Sequence, residues 1–409
     1  MNPPNDNDLY PNTEAPSLFW RSLSHQTIFS VAALSRLFLF AFNKTEVHGL
    51  PRFLDLLVSR SDYKARRRGL VTVSNHISVL DDPLIWGVLP LSFAAFHGYL
   101  NQRWIFGSHD ICFTNAFRCH FFTLGQTLPT HRLAHSKHGG IAQPTLTEGV
   151  RLLSPIFARN SSWNPHVRRG GLEKAEESFR SSSWPHDCVD PFSDVSPAPS
   201  YPSGLDDQRH YLAPSRYACN SNSWIHIFPE GMIHQSADRS MRYFKWGVAR
   251  LILEPAECPD VVAMFIEGTD EIMHEARPFP RFIPRINKKV AVTFGGEVDT
   301  EAVFGDLRTR WKELRDADYA ASVNDPRASS CPPPEALGLL LSDPLRRGEE
   351  AVELRRECTR RLRLEVLKVR RSRGYPDEDP KAGLAETYLR EGPGREEGPK
   401  SDGTWLRDG

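Results

Sequence analysis

The sequence predicts an α/β fold, a sheet of buried strands flanked by helices. Short apolar runs at Leu70 to Val73, Ser223 to Phe228, Asp260 to Ile266 and Val290 to Phe294 have the length of buried strands. Helical periodicity lies between and beyond them. Trp246, Ala249, Arg250 and Leu253 share one face, as do Ala351, Leu354, Cys358, Leu362, Val366 and Val369. Residues that can do chemistry stand where strands end, His76 after the first and Glu230 after a later one. In open α/β sheets that edge is where ligands bind.

The 409 residues fit two to three domains, or one large domain with insertions. Lys+Arg and Asp+Glu both total 51, so net charge makes no case for a nucleic-acid partner. The seven cysteines have no Cys-x-x-Cys or zinc-like spacing and read as reduced or inert thiols. Residues 1–16 carry Asp6, Asp8 and Glu14 without Lys or Arg, unlike a secretory signal or a transit peptide.

Leu18 to Phe42 is apolar and aromatic but interrupted by Arg21, His25, Gln26 and Arg36. Its most apolar part, Ile28 to Phe42, falls short of the roughly 20 residues a membrane span needs. Trp20, Phe29, Phe38, Phe40 and Phe42, flanked by Arg21, Arg36 and Lys44, suit a helix lying in the headgroup zone. Arg60, Lys64, Arg66, Arg67 and Arg68 form a basic stretch, read either as a solvated helix end or as attraction to anionic lipid. Leu84 to Phe106 reads as a core helix, broken by Pro90, plus a membrane-facing loop. Phe121 to Leu128 reads as a strand, Gly149 to Arg159 and Tyr243 to Leu253 as helices. Residues 160–222 shift to Ser, Pro, Trp, Asp and Arg without period, as a disordered insert would. Residues 301–372 form a C-terminal helical region, and 373–409 a disordered tail. The remaining segments are 1–50, a tail and interfacial helix, and the core halves 51–159 and 223–300.

The central stretch is Asn75-His76-Ile-Ser-Val-Leu-Asp81-Asp82-Pro83. Five residues on one helix turn through about 500°, so His76 and Asp81 would not share a helical face. Pro83 instead predicts a helix start, with Asp82 near the N-cap and His76 in the preceding turn. The chain can then fold Asp81 against the imidazole. A carboxylate there fixes the ring tautomer and stabilises the imidazolium, which makes the pair a general base for a hydroxyl. A His-x4-Asp pair alone is about what chance supplies at ordinary composition. Glu230, held at the site edge by the conformational freedom of Gly231, could bind a hydroxyl, a headgroup or a basic side chain. Arg132, Arg239, Arg242 and Lys245 flank these motifs and suit phosphate.

The ordered blocks Asn75-His76-x4-Asp81, Gly125…Arg132, Phe228-Pro-Glu-Gly231 and Val261 to Ile266 resemble those of the glycerolipid acyltransferases. Phe244-Lys-Trp-Gly-Val-Ala-Arg-Leu-Ile252 adds a fifth block, and the likeness is closest to the phospholipid–lysophospholipid transacylases. It departs at Ala263, where proline is common, and at Leu133, where glycine is common. The resemblance implies a glycerol-3-phosphate acyltransferase-like mixed sheet flanked by helices, with a membrane-interfacial N-terminal segment. It implies catalytic His76 and Asp81, and Asn75, Arg132, Phe228, Pro229, Glu230, Gly231, Arg242 and Lys245 in substrate binding. It implies CoA-independent acyl exchange onto lysophospholipids, including monolysocardiolipin, without metal or cofactor. It also implies a monotopic place on mitochondrial membranes facing the intermembrane space, with oligomerisation left open. The alternatives are an acyl-CoA-dependent lysophospholipid acyltransferase and an inactive lipid-binding scaffold.

Overall fold

A computed structural model describes residues 14–97, 99–132, 139–155, 213–324, 337–340 and 342–390. Seven strands form one sheet in the order β1-β7-β6-β2-β5-β3-β4. They are β1 (Lys44–His48), β2 (Leu70–Val73), β3 (Arg103–Ser108), β4 (Thr127–Thr130), β5 (Trp224–Ile227), β6 (Asp260–Glu267) and β7 (Lys289–Glu297). From β6 across to β4 all neighbours are parallel. β7 runs antiparallel to β6, and β1 is parallel to β7, which makes the sheet mixed.

Strand alternation divides the core between two faces. Val261, Ala263 and Phe265 of β6 point to one, and Val262, Met264 and Ile266 to the other. The second face is covered by α1 (Leu18–Phe42), α2 (Leu50–Ser59), α3 (Asp81–Gly87) and α4 (Leu91–His97). The helix Ala116–Leu124 is α5. The first face is covered by α6 (Pro144–Leu152), α7 (Gly247–Leu253), α8 (Thr300–Asn324) and α9 (Glu349–Ser372).

Several expectations need correction. Phe121 to Leu124 is helical, since Asn115 caps the α5 N–H groups at Arg118 and Gly125 ends the helix. Aromatic β-propensity yields to that cap. Trp104 to Phe106 belongs to β3, not to a helix or a membrane-facing loop. Tyr243 to Trp246 precedes α7, because the Lys245 N–H is held by the Pro229 carbonyl, 2.7 Å away. The helix expected over Gly149 to Arg159 runs Pro144–Leu152 instead, with 156–159 outside the described residues. Leu133, the rest of the insert from 160 to 212, and 391–409 also lie outside them. Residues 213–222, assigned to the insert by composition, pack into the core through Cys219, Asn220 and Asn222. The tail is structured as far as Arg390, and Glu378 and Tyr388 are anchored against the 238–243 loop.

The basic stretch splits. Arg60 and Arg66 are buried, Arg60 paired with Asp260 at 3.2 Å and Arg66 donating to the carbonyls of Arg60 and Leu100. Burial pushes both guanidinium pKa values down to about 10. These two tie down the amino ends of the parallel strands, opposite His76. Lys64, Arg67 and Arg68 line a cleft of about 730 Å³ there, together with Glu14 and Glu257.

Among the described residues, only α1 is long and apolar enough to cross a membrane. One face nevertheless packs on the protein through Ser24, Ile28, Ser35 and Leu39. Arg36, expected in the headgroup zone, caps the end of α3 by donating to the carbonyls of Val88 (3.0 Å) and Leu89 (3.2 Å). Leu34, Leu37, Phe40 and Phe42 are exposed.

Candidate active site

The site is built where β2 and β5 end side by side. Asn75 leaves β2 and hydrogen-bonds both ways with the backbone of Ile266, donating to its carbonyl at 2.9 Å and accepting from its N–H at 2.8 Å. The side chain thereby ties the turn to the end of β6, beyond the last paired residue, Val73. His76 follows with both main-chain groups held. Its N–H donates to Glu230 Oε1 (2.7 Å), and its carbonyl accepts from the His234 N–H (2.8 Å).

The His76 ring lies across the turn from Asp81, with Nδ1 2.9 Å from Oδ2. Asp81 is fully buried, and its Oδ2 also accepts the N–H groups of Ile77 (2.6 Å) and Ser78 (2.8 Å). Thr269 donates its hydroxyl to Oδ1. A carboxylate only accepts, so the ring proton sits on Nδ1, and Nε2 of the neutral imidazole carries the lone pair. The ring stacks on Phe228, with centroids 4.4 Å apart, and keeps 22 % of its side chain exposed.

The helix starts two positions earlier than expected. α3 begins at Asp81, with Leu80 as N-cap and no side-chain cap bond. Asp82 is not the cap. Its Oδ1 accepts from Trp86 Nε1 at 2.8 Å, and its carboxylate pairs with Arg103. The N–H groups needing an acceptor belong to Ile77 and Ser78, and the Asp81 side chain is the one that reaches back to them.

Glu230 is also a positioning group. It is buried, and its oxygens accept the N–H groups of His76 and of Arg242 (2.8 Å), which joins the His76 turn to the 238–243 loop. Burial pushes its carboxyl up to about 8, against the opposing pull of those N–H groups and Arg363. Both of its oxygens are thus engaged by main-chain N–H groups, a cross-link the sequence does not reveal. Gly231 has φ +69°, and a Cβ there would lie 2.8 Å from Lys245 Cδ, so the turn requires glycine. The buried Pro229 offers its carbonyl to Lys245.

The cations do not form one cluster. The Arg242 guanidinium lies 4.1 Å over the Tyr388 ring. Arg239 pairs with Asp270, and Arg132 with Asp110. Arg132 follows β4, three strands from β2, so it stands roughly 14 Å from the His76 turn along the same sheet edge. The structure thus gathers His76, Asp81, Phe228, Pro229, Glu230, Gly231, Arg242 and Lys245, turns Asn75 into the sheet and leaves Arg132 apart.

Sequence reasoning missed Thr269, Gln235 and the tail. Thr269 follows Gly268 (φ +82°) at the carboxyl end of β6, a strand-then-glycine pattern that could have found it. Two further histidines wall the site. His226 is buried against Trp86 and Phe228, and burial, helped by Arg103 and His76, holds its pKa well below the usual value. Burial and Arg242 lower His234 from 6.5 to about 4. A histidine whose folded pKa is depressed contributes stability above its unfolded pKa, and that stability is lost as pH falls through the folded one. The melting temperature should therefore decline from about pH 6.5 towards about pH 4. His234→Gln should flatten that decline in melts recorded across the range. No group of three or more potential metal ligands occurs among the described residues.

No family model matches the chain. It is 33% identical over 373 residues to a tafazzin of Saccharomyces cerevisiae, covering 89% of this chain and 82% of the relative. A Drosophila melanogaster tafazzin is 26% identical over 302 residues, 74% of this chain and 58% of that one. Among solved structures, a 1-acyl-sn-glycerophosphate acyltransferase from Thermotoga maritima aligns over 74% of this chain and 80% of its own, with 15% identity and a TM-score of 0.32. The strand-end turn, its sheet and the two tafazzin relatives define an acyltransferase. Within that class the chain belongs to the tafazzin family.

Proposed function

We propose that this acyltransferase is a CoA-independent phospholipid–lysophospholipid transacylase that remodels cardiolipin by acylating monolysocardiolipin. The observation that carries the proposal is the His76 ring, with Nδ1 held by Asp81 and part of the ring open to solvent. Nε2 takes the proton of the acceptor hydroxyl, and the resulting alkoxide attacks an ester carbonyl of the donor phospholipid. The tetrahedral intermediate expels the donor's glycerol oxygen, which leaves as a lysophospholipid after taking the proton back from His76. One ester is exchanged for another, so the step needs no external energy source. Asp81 stabilises the imidazolium in between.

The oxyanion needs a donor of its own. The N–H groups of Ile77, Ser78, Leu80 and Asp81 already have acceptors, which favours a cation. We assign Lys245, whose side chain lies along Gly231. Arg132, three strands away, suits a more distant phosphate of a large headgroup.

The exposed face of α1, opposite its packed face, supports a monotopic helix lying in the interface of a mitochondrial membrane on the intermembrane-space side. Lipid profiling of cells lacking the gene tests the substrate. The ratio of monolysocardiolipin to cardiolipin should rise and should return with the wild-type chain but not with His76→Ala. An unchanged ratio would remove cardiolipin from the proposal.

A further inference from the structure

The connection between β6 and β7 carries a surface that the chemistry above does not use. Phe279, Phe282, Ile283 and Ile286 are 86, 75, 45 and 57 % exposed. Arg277, Arg281 and Arg285 alternate with them, Lys288 and Lys289 follow, and Glu275 is the sole carboxylate in residues 274–289. The arginines brace the loop through neutral main-chain carbonyls. Arg277 Nη1 donates to His274 (2.7 Å), Arg281 Nη2 to Glu275 (2.7 Å) and Arg285 Nη2 to Pro278 (2.5 Å). Such bonds shape the loop without cancelling the charge of the arginines, whereas Lys288 lies 3.7 Å from the Glu271 carboxylate.

Topology places this loop beside the chemistry. β6 is parallel to β2 and ends at the His76 edge, whereas β7 is antiparallel and starts there. β1 is parallel to β7, so the carboxyl end of α1 reaches the same edge. The Asn287 N–H donates to the Phe42 carbonyl (2.7 Å), and the Lys288 N–H to Asn43 Oδ1 (3.0 Å). The loop thereby adjoins the exposed Leu34, Leu37, Phe40 and Phe42 end of α1. Gln235 joins it to the His76 turn, accepting the Glu275 N–H (3.0 Å) and donating to the Ile77 carbonyl (2.8 Å).

We propose that residues 274–289 are a second membrane-docking element whose occupant is an anionic phospholipid bilayer. The apolar side chains enter the interfacial layer, and the arginines and lysines meet lipid phosphates. Together with the end of α1, the loop sets the His76 edge at the depth of the lipid esters. That last role rests on the transacylase reading, whereas the docking itself does not. A protein partner is disfavoured because the apolar residues alternate with like-charged ones and continue an apolar helix face. A bilayer supplies hydrocarbon and phosphate together over such a surface.

The test uses the full chain and vesicles of phosphatidylcholine with cardiolipin. Phe279→Ser, Phe282→Ser and Ile286→Ser combined should weaken co-sedimentation by about tenfold or more. Acyl exchange in detergent mixed micelles, where no bilayer has to be found, should stay near the wild-type rate. Vesicle binding equal to wild type would overturn the proposal. The single change Phe282→Trp guards against misfolding of the triple variant. Its added emission should shift to the blue on vesicles and be quenched by brominated acyl chains, and an added emission indifferent to vesicles would also overturn docking. Absence of exchange by the wild type in micelles would count against the transacylase reading, with vesicle binding still deciding the docking.

Discussion

His76→Ala should lower the rate of acyl exchange by about 10²–10⁴-fold, the usual contribution of a positioned general base. The fold should survive. The His76 N–H and carbonyl bonds to Glu230 and His234 come from the main chain and do not need the ring. Asp81 keeps Ile77, Ser78 and Thr269 as donors, so truncation strands no buried carboxylate. The losses are the stack on Phe228 and the base itself. Rates measured beside thermal unfolding separate these effects, because chemistry should collapse while the melting temperature moves by only a few degrees.

Asp81→Asn should lower the rate by about 10²–10³-fold through loss of charge, with geometry largely retained. The asparagine carbonyl can take the place of Oδ2 and accept from His76, Ile77 and Ser78. Its amide then faces Thr269, whose hydroxyl can accept as well as donate. What disappears is the negative charge opposing the imidazolium. The defect should lie in kcat and not in KM, since Asp81 is buried and touches no substrate. A KM defect of the same size would place Asp81 in binding instead.

The catalytic turn was legible in the sequence because its parts are local. Strand, His76, Asp81 and the following proline lie within fourteen positions, from Leu70 to Pro83. The α/β class and the central strands were legible from apolar runs, since burial on both faces leaves a strong pattern, whereas β1, β3 and the antiparallel setting of β7 were not. Other roles depended on partners far along the chain. Asn75 finds Ile266, Asp81 finds Thr269, and Glu230 finds the backbone of His76 and Arg242. A carboxylate at a strand end looks the same in sequence whether it faces a ligand or two N–H groups. The same applies to Arg239 and Arg132, each of which pairs with a carboxylate. The tail was misread because composition reports average polarity. It does not show that Glu378 is buried against Arg363, or that Tyr388 covers Arg242.

The most direct test of the central claim is transfer of a labelled acyl chain from phosphatidylcholine to monolysocardiolipin with CoA rigorously excluded. The wild-type chain should transfer the label, and transfer should nearly disappear in His76→Ala. Strict dependence on acyl-CoA, or transfer by His76→Ala at the wild-type rate, would contradict that claim.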